Sequence, residues 1–216
     1  GNVLSGAYIG SPVSSDWTMA GVGDFNADGK DDILWRNNDG QAALWLMNGT
    51  TVNGAYVGSP VSQDWNITGV GDFNGDHRAD ILWGNESGQL AEWLMNASSI
   101  SSTAYVTSAV PADWTITGIR DFNGDALNDI VLRNEDTGQL ALWTMSGPSV
   151  TDGQYISSAT GKDWTVAELG DLNGDGRTDI LLQNDNGQLA LWTMTGSTVA
   201  AADHLAAAVP NDWLIN

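Results

Sequence analysis

The chain contains no cysteine, which excludes disulfides, thiolate zinc sites and cysteine nucleophiles. Positive charge is nearly as scarce: 7 Lys and Arg stand against 27 Asp and Glu, a formal net charge of −20. Nucleic acids and anionic membrane surfaces are recognised through clustered Lys and Arg, so neither is expected as a partner. The only histidines are His77 and His204, which leaves little for metals that favour nitrogen ligands. No apolar run approaches the ~20 residues of a membrane-spanning helix, so no membrane insertion is expected. The opening residues Gly1-Asn2-Val3-Leu4 do not read as a signal peptide, and a matured chain would look the same.

What the sequence does hold is aspartate, 23 residues against 4 glutamates. Solubility alone would be served by either carboxylate. Asp is the short carboxylate of turns and tight metal loops. A folded chain this acidic repels itself, which points to bound cations.

The aspartates are arranged in a repeat. Asp-Trp pairs occur at Asp16-Trp17, Asp64-Trp65, Asp113-Trp114, Asp163-Trp164 and Asp212-Trp213, with Trp spacings of 48, 49, 50 and 49. Between them the same order of segments recurs four times, as self-similarity of a repeat architecture requires. In the second copy an apolar run (Ile67-Thr68-Gly69-Val70) leads into an Asp-rich loop (Asp72 to Asp76) and a second run (Ile81-Leu82-Trp83). A Gly-containing turn then leads to a third run (Leu90 to Met95) and a looser fourth containing Tyr105-Val106. Runs of 4 to 7 residues rich in Ile, Val, Trp, Thr and Leu, bounded by Asn, Asp, Gly and Ser, read as strands. The turns before Gln41, Gln89, Gln139 and Gln188 end in Gly40, Gly88, Gly138 and Gly187, as tight hairpins demand.

The third run alternates Ala43, Trp45 and Met47 on one face with Ala42, Leu44 and Leu46 on the other, so both faces are expected to be buried. A four-stranded unit covered on both faces suits a propeller blade stacked between neighbours. The expectation is an all-β chain, a β-propeller of four-stranded antiparallel blades forming one domain over 1–216. Its repeats lie at about 17–64, 65–113, 114–163 and 164–212. Residues 1–16 echo the end of a repeat and read as the outer strand of a preceding or closing blade. Residues 213–216 read as the start of another repeat. A four-bladed ring, a five-bladed ring and an incomplete ring all remain open, as does self-association through unpaired edge strands. Trp45, Trp93, Trp143 and Trp192 are expected in the core between blades.

The Asp-rich loops carry the chemistry. Each places Asp at positions 1, 5 and 9 and Asn at position 3: Asp24, Asn26, Asp28 and Asp32; Asp72, Asn74, Asp76 and Asp80; Asp121, Asn123, Asp125 and Asp129; Asp171, Asn173, Asp175 and Asp179. Ca²⁺ takes six to eight oxygens in flexible geometry, and alternate positions of a tight loop turn oxygens toward one centre. The backbone carbonyl at position 7 (Lys30, Arg78, Leu127, Arg177) is a further candidate ligand, indifferent to side chain. Up to four Ca²⁺ are expected, one per repeat; Mg²⁺ demands stricter octahedral geometry. An EF-hand is excluded, because position 12 is Trp35, Trp83, Leu132 or Leu182 rather than Glu.

The string Gly71-Asp72-Phe73-Asn74-Gly75-Asp76 followed by Asp80-Ile81-Leu82 resembles the FG-GAP/VCBS repeat and is similar to the calcium loops of integrin α-chain propellers. The resemblance covers essentially residues 6–216. It implies a propeller with Ca²⁺ in the loop joining the first and second strands of a blade. It also implies an extracellular or cell-surface setting, in keeping with the cysteine-free composition of many secreted bacterial proteins, and roles in adhesion, ligand binding or support of secreted enzymes. Position 6 is Gly29 and Gly176 in two loops, as the family prefers, but His77 and Ala126 in the others. If that position needs φ > 0, a Cβ there costs roughly 1–2 kcal/mol. The loops at 24–32 and 171–179 are then expected to bind most tightly and 121–129 most weakly.

Catalysis finds no support in the residues. Neither histidine has a repeated partner, and Glu86, Glu92, Glu135 and Glu168 fall at unrelated repeat positions. No Ser-His-Asp arrangement or paired-carboxylate glycosidase site is legible. The expectation is a non-enzymatic, calcium-binding module that docks a protein partner or sister domain. The alternatives are a carbohydrate-binding, lectin-like propeller and a non-catalytic part of a larger secreted enzyme. Against four equal sugar sites, Trp35 and Trp83 become Leu132 and Leu182, and Arg36 becomes Gly84, Arg133 and Gln183. The Asp before each Trp and the recurring Asn37, Asn85, Asn134 and Asn184 are read as turn residues that bond the backbone.

Overall fold

Residues 8–10, 13–156 and 160–205 are described by a computed structural model. Sixteen strands follow one another without an intervening helix among these residues: β1 (Trp17–Gly23), β2 (Asp32–Asn37), β3 (Ala42–Asn48), β4 (Thr51–Val57), β5 (Trp65–Gly71), β6 (Asp80–Asn85), β7 (Leu90–Asn96) and β8 (Ser99–Tyr105), then β9 (Trp114–Arg120), β10 (Asp129–Asn134), β11 (Leu140–Ser146), β12 (Ser149–Tyr155), β13 (Trp164–Gly170), β14 (Asp179–Asn184), β15 (Leu189–Thr195) and β16 (Thr198–His204). They form four sheets of four strands, each ordered as the chain runs, so every sheet is an antiparallel meander. The fold is all-β, a β-propeller of four-stranded antiparallel blades. Among the described residues no helix is long and apolar enough to cross a membrane. Among residues 8–10 and 13–16 there is no strand; the rest of the outer strand expected at 1–16, and the repeat start at 213–216, lie outside the described residues.

The chain divides into two compact units, Gly1–Asp72 with Asp76–Glu86 and Ala91–Tyr105, and Phe73–Gly75 with Ser87–Leu90 and Val106–Asn216. The first holds blade 1 (β1–β4) and, Leu90 apart, blade 2 (β5–β8); the second holds blade 3 (β9–β12) and blade 4 (β13–β16). The same local signals build each blade. The register of the first strand slips between Met19 and Gly21, Ile67 and Gly69, Ile116 and Gly118, and Val166 and Glu168, a bulge that sharpens strand twist. The hairpin between second and third strands turns on asparagine: Asn37 Oδ1 accepts the N–H groups of Asp39 and Gln41 at 3.0 and 2.8 Å, and Gly40 follows at φ 85°.

In the first unit Leu34, Ala42, Leu44 and Val57 of blade 1 pack with Ile81, Trp83 and Met95 of blade 2. In the second, Val131, Leu140, Leu142 and Ile156 of blade 3 pack with Ile180, Leu182 and Met194 of blade 4. Burying both faces of the middle strands is what the near-continuous apolar runs dictate. Of the four tryptophans expected in this core, Trp93 and Trp192 pack against it, and all four, Trp45 and Trp143 included, are half-buried. Among the described residues the fully buried indole is Trp83.

Candidate functional site

The four Asp-rich loops join the first and second strands of their blades, and position 9 is the first residue of the second strand. Loop shape comes from the side chains bonding their own backbone. In every loop the N–H of position 6 donates to the position 1 carboxylate: Gly29 to Asp24 at 2.7 Å, His77 to Asp72 at 2.8 Å, Ala126 to Asp121 and Gly176 to Asp171 at 2.9 Å. Asn26, Asn123 and Asn173 accept from the N–H of position 5 at 2.8–2.9 Å. The position 5 carboxylates accept from the N–H of position 7 at 2.8–3.0 Å.

This clasp needs left-handed backbone. Position 6 has φ of 80°, 64°, 69° and 83° at Gly29, His77, Ala126 and Gly176, as expected. Position 4 is left-handed as well, at Ala27 (59°), Gly75 (77°), Gly124 (81°) and Gly174 (82°), which the sequence reading missed. Loop 24–32 therefore carries a Cβ in this region like loops 72–80 and 121–129, and its expected advantage disappears. Only loop 171–179 has glycine at both positions.

Position 9 has a role that sequence alone did not show. Asp32, Asp80, Asp129 and Asp179 are fully buried. Asp32 accepts the Phe25 N–H at 3.0 Å and the Met47 N–H at 2.7 Å. Asp129 does the same with Phe122 and Met145, at 3.1 and 3.0 Å, and Asp179 with Leu172 and Met194, at 3.0 and 2.9 Å. Met95 donates to Asp80 at 2.8 Å. Each carboxylate thus ties its loop to the third strand. Burial pushes the Asp129 carboxyl up to about 6, against the two N–H donors, with the Asp125 and Asp121 charges adding to the rise. Burial raises Asp32 too, with smaller contributions from Asp24 and Asp28. Positions 1, 5 and 9 of a loop therefore feel one another's charge.

Among the described residues no three Asp, Glu or His side chains are gathered tightly enough to hold a metal ion; the carboxylates are turned to N–H groups of the loop. The donor set nonetheless suits a hard cation. It is all oxygen, it comes from a single short loop, and a carboxylate has about four lone-pair sites, so one or two N–H bonds leave capacity. Two basic side chains compete for it: Lys30 Nζ lies 3.1 Å from Asp28 and Arg78 3.4 Å from Asp76. The Lys30 hydrogen bond holds the Asp28 carboxyl below its usual range, and backbone N–H donors, Gly176 first, do the same for Asp171.

The other recurrent residues are structural. Asn134 and Asn184 cap their hairpins as Asn37 does. The Asp before Trp bonds side chains rather than the expected backbone N–H groups: Asp16 accepts from the Ser14 hydroxyl at 3.0 Å, Asp64 from Ser62 at 3.2 Å and Asp113 from the Asn134 amide at 2.7 Å. Arg36 reaches Asn66 and the Ser62 carbonyl of blade 2 and lies 5.2 Å from the centre of the Trp83 ring. Its counterpart Arg133 binds the Lys162 and Trp164 carbonyls of blade 4.

Three blades carry an aromatic cleft at the same place. Trp17, Trp35, Trp45 and Tyr56 wall about 380 Å³, Trp65, Trp83, Trp93 and Tyr105 about 240 Å³, and Trp164, Trp192 and His204 about 180 Å³. The Nε1 groups of Trp35 and Trp83 have no hydrogen-bond partner. Glu92 was also missed. It is fully buried in β7, where the sister strands have Leu44, Leu142 and Leu191, and neither carboxylate oxygen has a partner. Burial, with the Asp80 charge behind it, pushes its carboxyl up to about 8.

Comparison with known proteins bears on the repeat rather than on a ligand. No curated protein matches the chain. Among solved structures it is similar to BBS1N in complex with ARL6DN (8% identity, TM-score 0.49, 91% of this chain and 57% of that one). It is also similar to the C-terminal WD40 domain of Sif2 (13%, 0.48, 91% and 61%) and to streptogramin B lyase (10%, 0.48, 89% and 56%). The chain thus spans less than two thirds of the length of each. The sequence profile of the FG-GAP-like repeat matches residues 24–83 and 121–182, each running from position 1 of one loop to the second strand of the next blade. More than half of the chain is accounted for by this repeat, and the chain belongs to the FG-GAP-like repeat family.

Proposed function

We propose that this chain is a calcium-stabilised β-propeller that serves as a binding or scaffolding module outside the cell or at its surface, docking a protein partner or a sister domain, and that it is not an enzyme. The observation that carries the reading is the fourfold loop: the same oxygen donors, clasped in the same backbone conformation, at the same point of every blade. Asp, Asn and Asp at positions 1, 3 and 5, the carbonyl at position 7 and Asp at position 9 would hold the ion. Each Ca²⁺ would offset two of the −20 formal charges. With one strained Cβ in each of the other loops, worth ~1–2 kcal/mol and hence about 5- to 30-fold in affinity, loop 171–179 ranks first.

Calorimetric titration of the metal-free chain tests this. Saturable Ca²⁺ binding is expected, with a rise in stability of about 2.7 kcal/mol per site at a hundredfold excess of free ion over Kd. Asp171→Ala should remove the tightest event. A melting temperature indifferent to Ca²⁺ and EDTA would refute the proposal.

A second reading, carbohydrate binding, is favoured by the aromatic clefts of blades 1 and 2, whose aromatic walls suit the apolar face of a sugar ring. A glycan array run in Ca²⁺ and in EDTA separates the two. Uniform silence favours the protein partner; a sharp sugar preference lost in Trp35→Leu favours the glycan.

A further inference from the structure

The aromatic cleft of blade 2 is lined by residues of the first unit alone. It lies on the face of blade 2 that meets blade 1, the face from which Trp83, Ala91 and Trp93 pack with the blade 1 core. Alternation along the strands brings Trp65 of β5, Trp83 of β6, Trp93 of β7 and Tyr105 of β8 to that one face. The rings stand in two pairs, Trp83 with Trp93 at 4.9 Å between centres and Trp65 with Tyr105 at 6.0 Å. Ala91, opposite Tyr105 in the sheet, keeps the floor of the cleft low.

Such walls suit a sugar ring and an organic cation alike, and the rest of the lining separates the two. A sugar needs polar side chains placed to grip its hydroxyls. Among the described residues that line this cleft there is no Asp, Glu, Asn, Gln, His, Lys or Arg. The polar side-chain groups are the Thr103 and Tyr105 hydroxyls and the indole N–H groups, and that of Trp83 is buried. A cation needs only the negative faces of the rings. The chain around it carries a formal charge of −20, which raises the local concentration of cations, and the exposed Asp64 directly precedes Trp65. The same rings already hold one cation: Arg36, which does not line the cleft, lies 5.2 Å from the centre of Trp83, with its terminal nitrogens bonded to Asn66 and the Ser62 carbonyl. A primary ammonium would bring N–H donors that this lining cannot satisfy, whereas a quaternary ammonium has none.

We propose that the cleft of blade 2 binds a quaternary ammonium group, seated on the rings of Trp65, Trp93 and Tyr105. Choline-like solutes, trimethylated lysine and phosphocholine headgroups share that chemistry. The site goes beyond the calcium reading and does not rest on it. The cleft of blade 4 is a poorer host, because Leu182 stands there for Trp83 and His204 for Tyr105.

Titration of the whole chain with choline, followed through the indole N–H resonances by NMR, tests this. Choline is expected to shift Trp65 and Trp93 saturably and to leave Trp114 of blade 3 in place. The uncharged carbon analogue of choline, with a tert-butyl group for the trimethylammonium, should bind about tenfold more weakly, and methyl glucoside should shift neither resonance. Tyr105 is 69% exposed, so Tyr105→Ala should keep the fold and weaken choline about fivefold. Tyr105→Phe, which keeps the ring face, should hold choline as wild type does, and so should Tyr155→Ala in blade 3. Silence with choline, equal binding of the carbon analogue, a response to the glucoside in its place, or a folded Tyr105→Ala as tight as wild type would each overturn the proposal. The contrast of choline with its carbon analogue uses the wild-type chain and decides the matter if a variant fails to fold. A trimethyl-lysine peptide and phosphatidylcholine vesicles, each set against bound choline, then separate the sources: displacement by one of them identifies it, displacement by neither leaves a free solute, and the site is upheld in each case.

Discussion

The two units share one plan and differ in what lines their clefts. In the first, Trp35 and Trp83 stand beside Trp45 and Trp93 with ring centres 5.0 and 4.9 Å apart, and Arg36 lies over the Trp83 ring. In the second, Leu132 and Leu182 take those places, both buried, and Arg133 is itself buried and paired with Glu135 at 2.6 Å. The carboxylate that ties loop to third strand and the asparagine of the hairpin do not vary between units. Residues that bond backbone are repeated because every blade needs the same bonds. Residues that fill space between blades vary in concert with their neighbours.

The largest effect should come from the shared feature. Asp32→Ala and Asp129→Ala each strand two N–H donors at a buried site, and each should cost about 3 kcal/mol in denaturant melts run in EDTA. Equal losses in the two units are expected. A loss below ~1 kcal/mol in either would break the claim that the tie, and not only an ion, holds the loop.

Next comes the residue that sets blade 2 apart. Glu92→Leu restores the sister residue and removes a buried carboxyl without partners, so a gain of about 2 kcal/mol is expected at neutral pH. The gain depends on pH. The folded-state pKa of Glu92 is raised from 4.5 to about 8, so the folded chain holds a proton that the unfolded chain releases. That stabilisation is complete below pH ~4.5 and is lost as pH rises through about 8, at up to about 1.4 kcal/mol per pH unit. The margin of Glu92→Leu over wild type should therefore widen from pH 5 to pH 9. A constant margin would mean that the carboxylate is solvated.

The smallest effect sharpens the comparison of loops. Ala27→Gly and Ala126→Gly relieve left-handed strain, less the added freedom of the unfolded chain, for a net gain of about 0.5–1 kcal/mol each. The mirror change Gly176→Ala should lose a similar amount. If all three are neutral, backbone conformation does not rank the loops.

Much of this was legible in the sequence. Period, strand order, hairpin glycines and the place of the Asp loops follow from local rules, because turn chemistry and alternation act over a few residues. The loop clasp was half legible: position 6 showed itself through the contrast of Gly29 with Ala126, whereas Ala27 at position 4 hid among small residues. The tie from Asp32 to Met47 spans 15 residues, beyond the reach of any local pattern. Glu92 showed only as a glutamate at an unrepeated position, because burial is decided by what packs against a strand and not by the strand itself.

The amino-acid sequence by itself determined the blade: four strands, their turns, and a loop of oxygen donors in each, since these depend on neighbours along the chain. Tertiary structure alone decided how deeply each indole is buried, that position 9 serves the fold, and that Glu92 lies buried in the third strand of blade 2. Those outcomes depend on distances between residues far apart in the chain, and such distances exist only once the blades have packed.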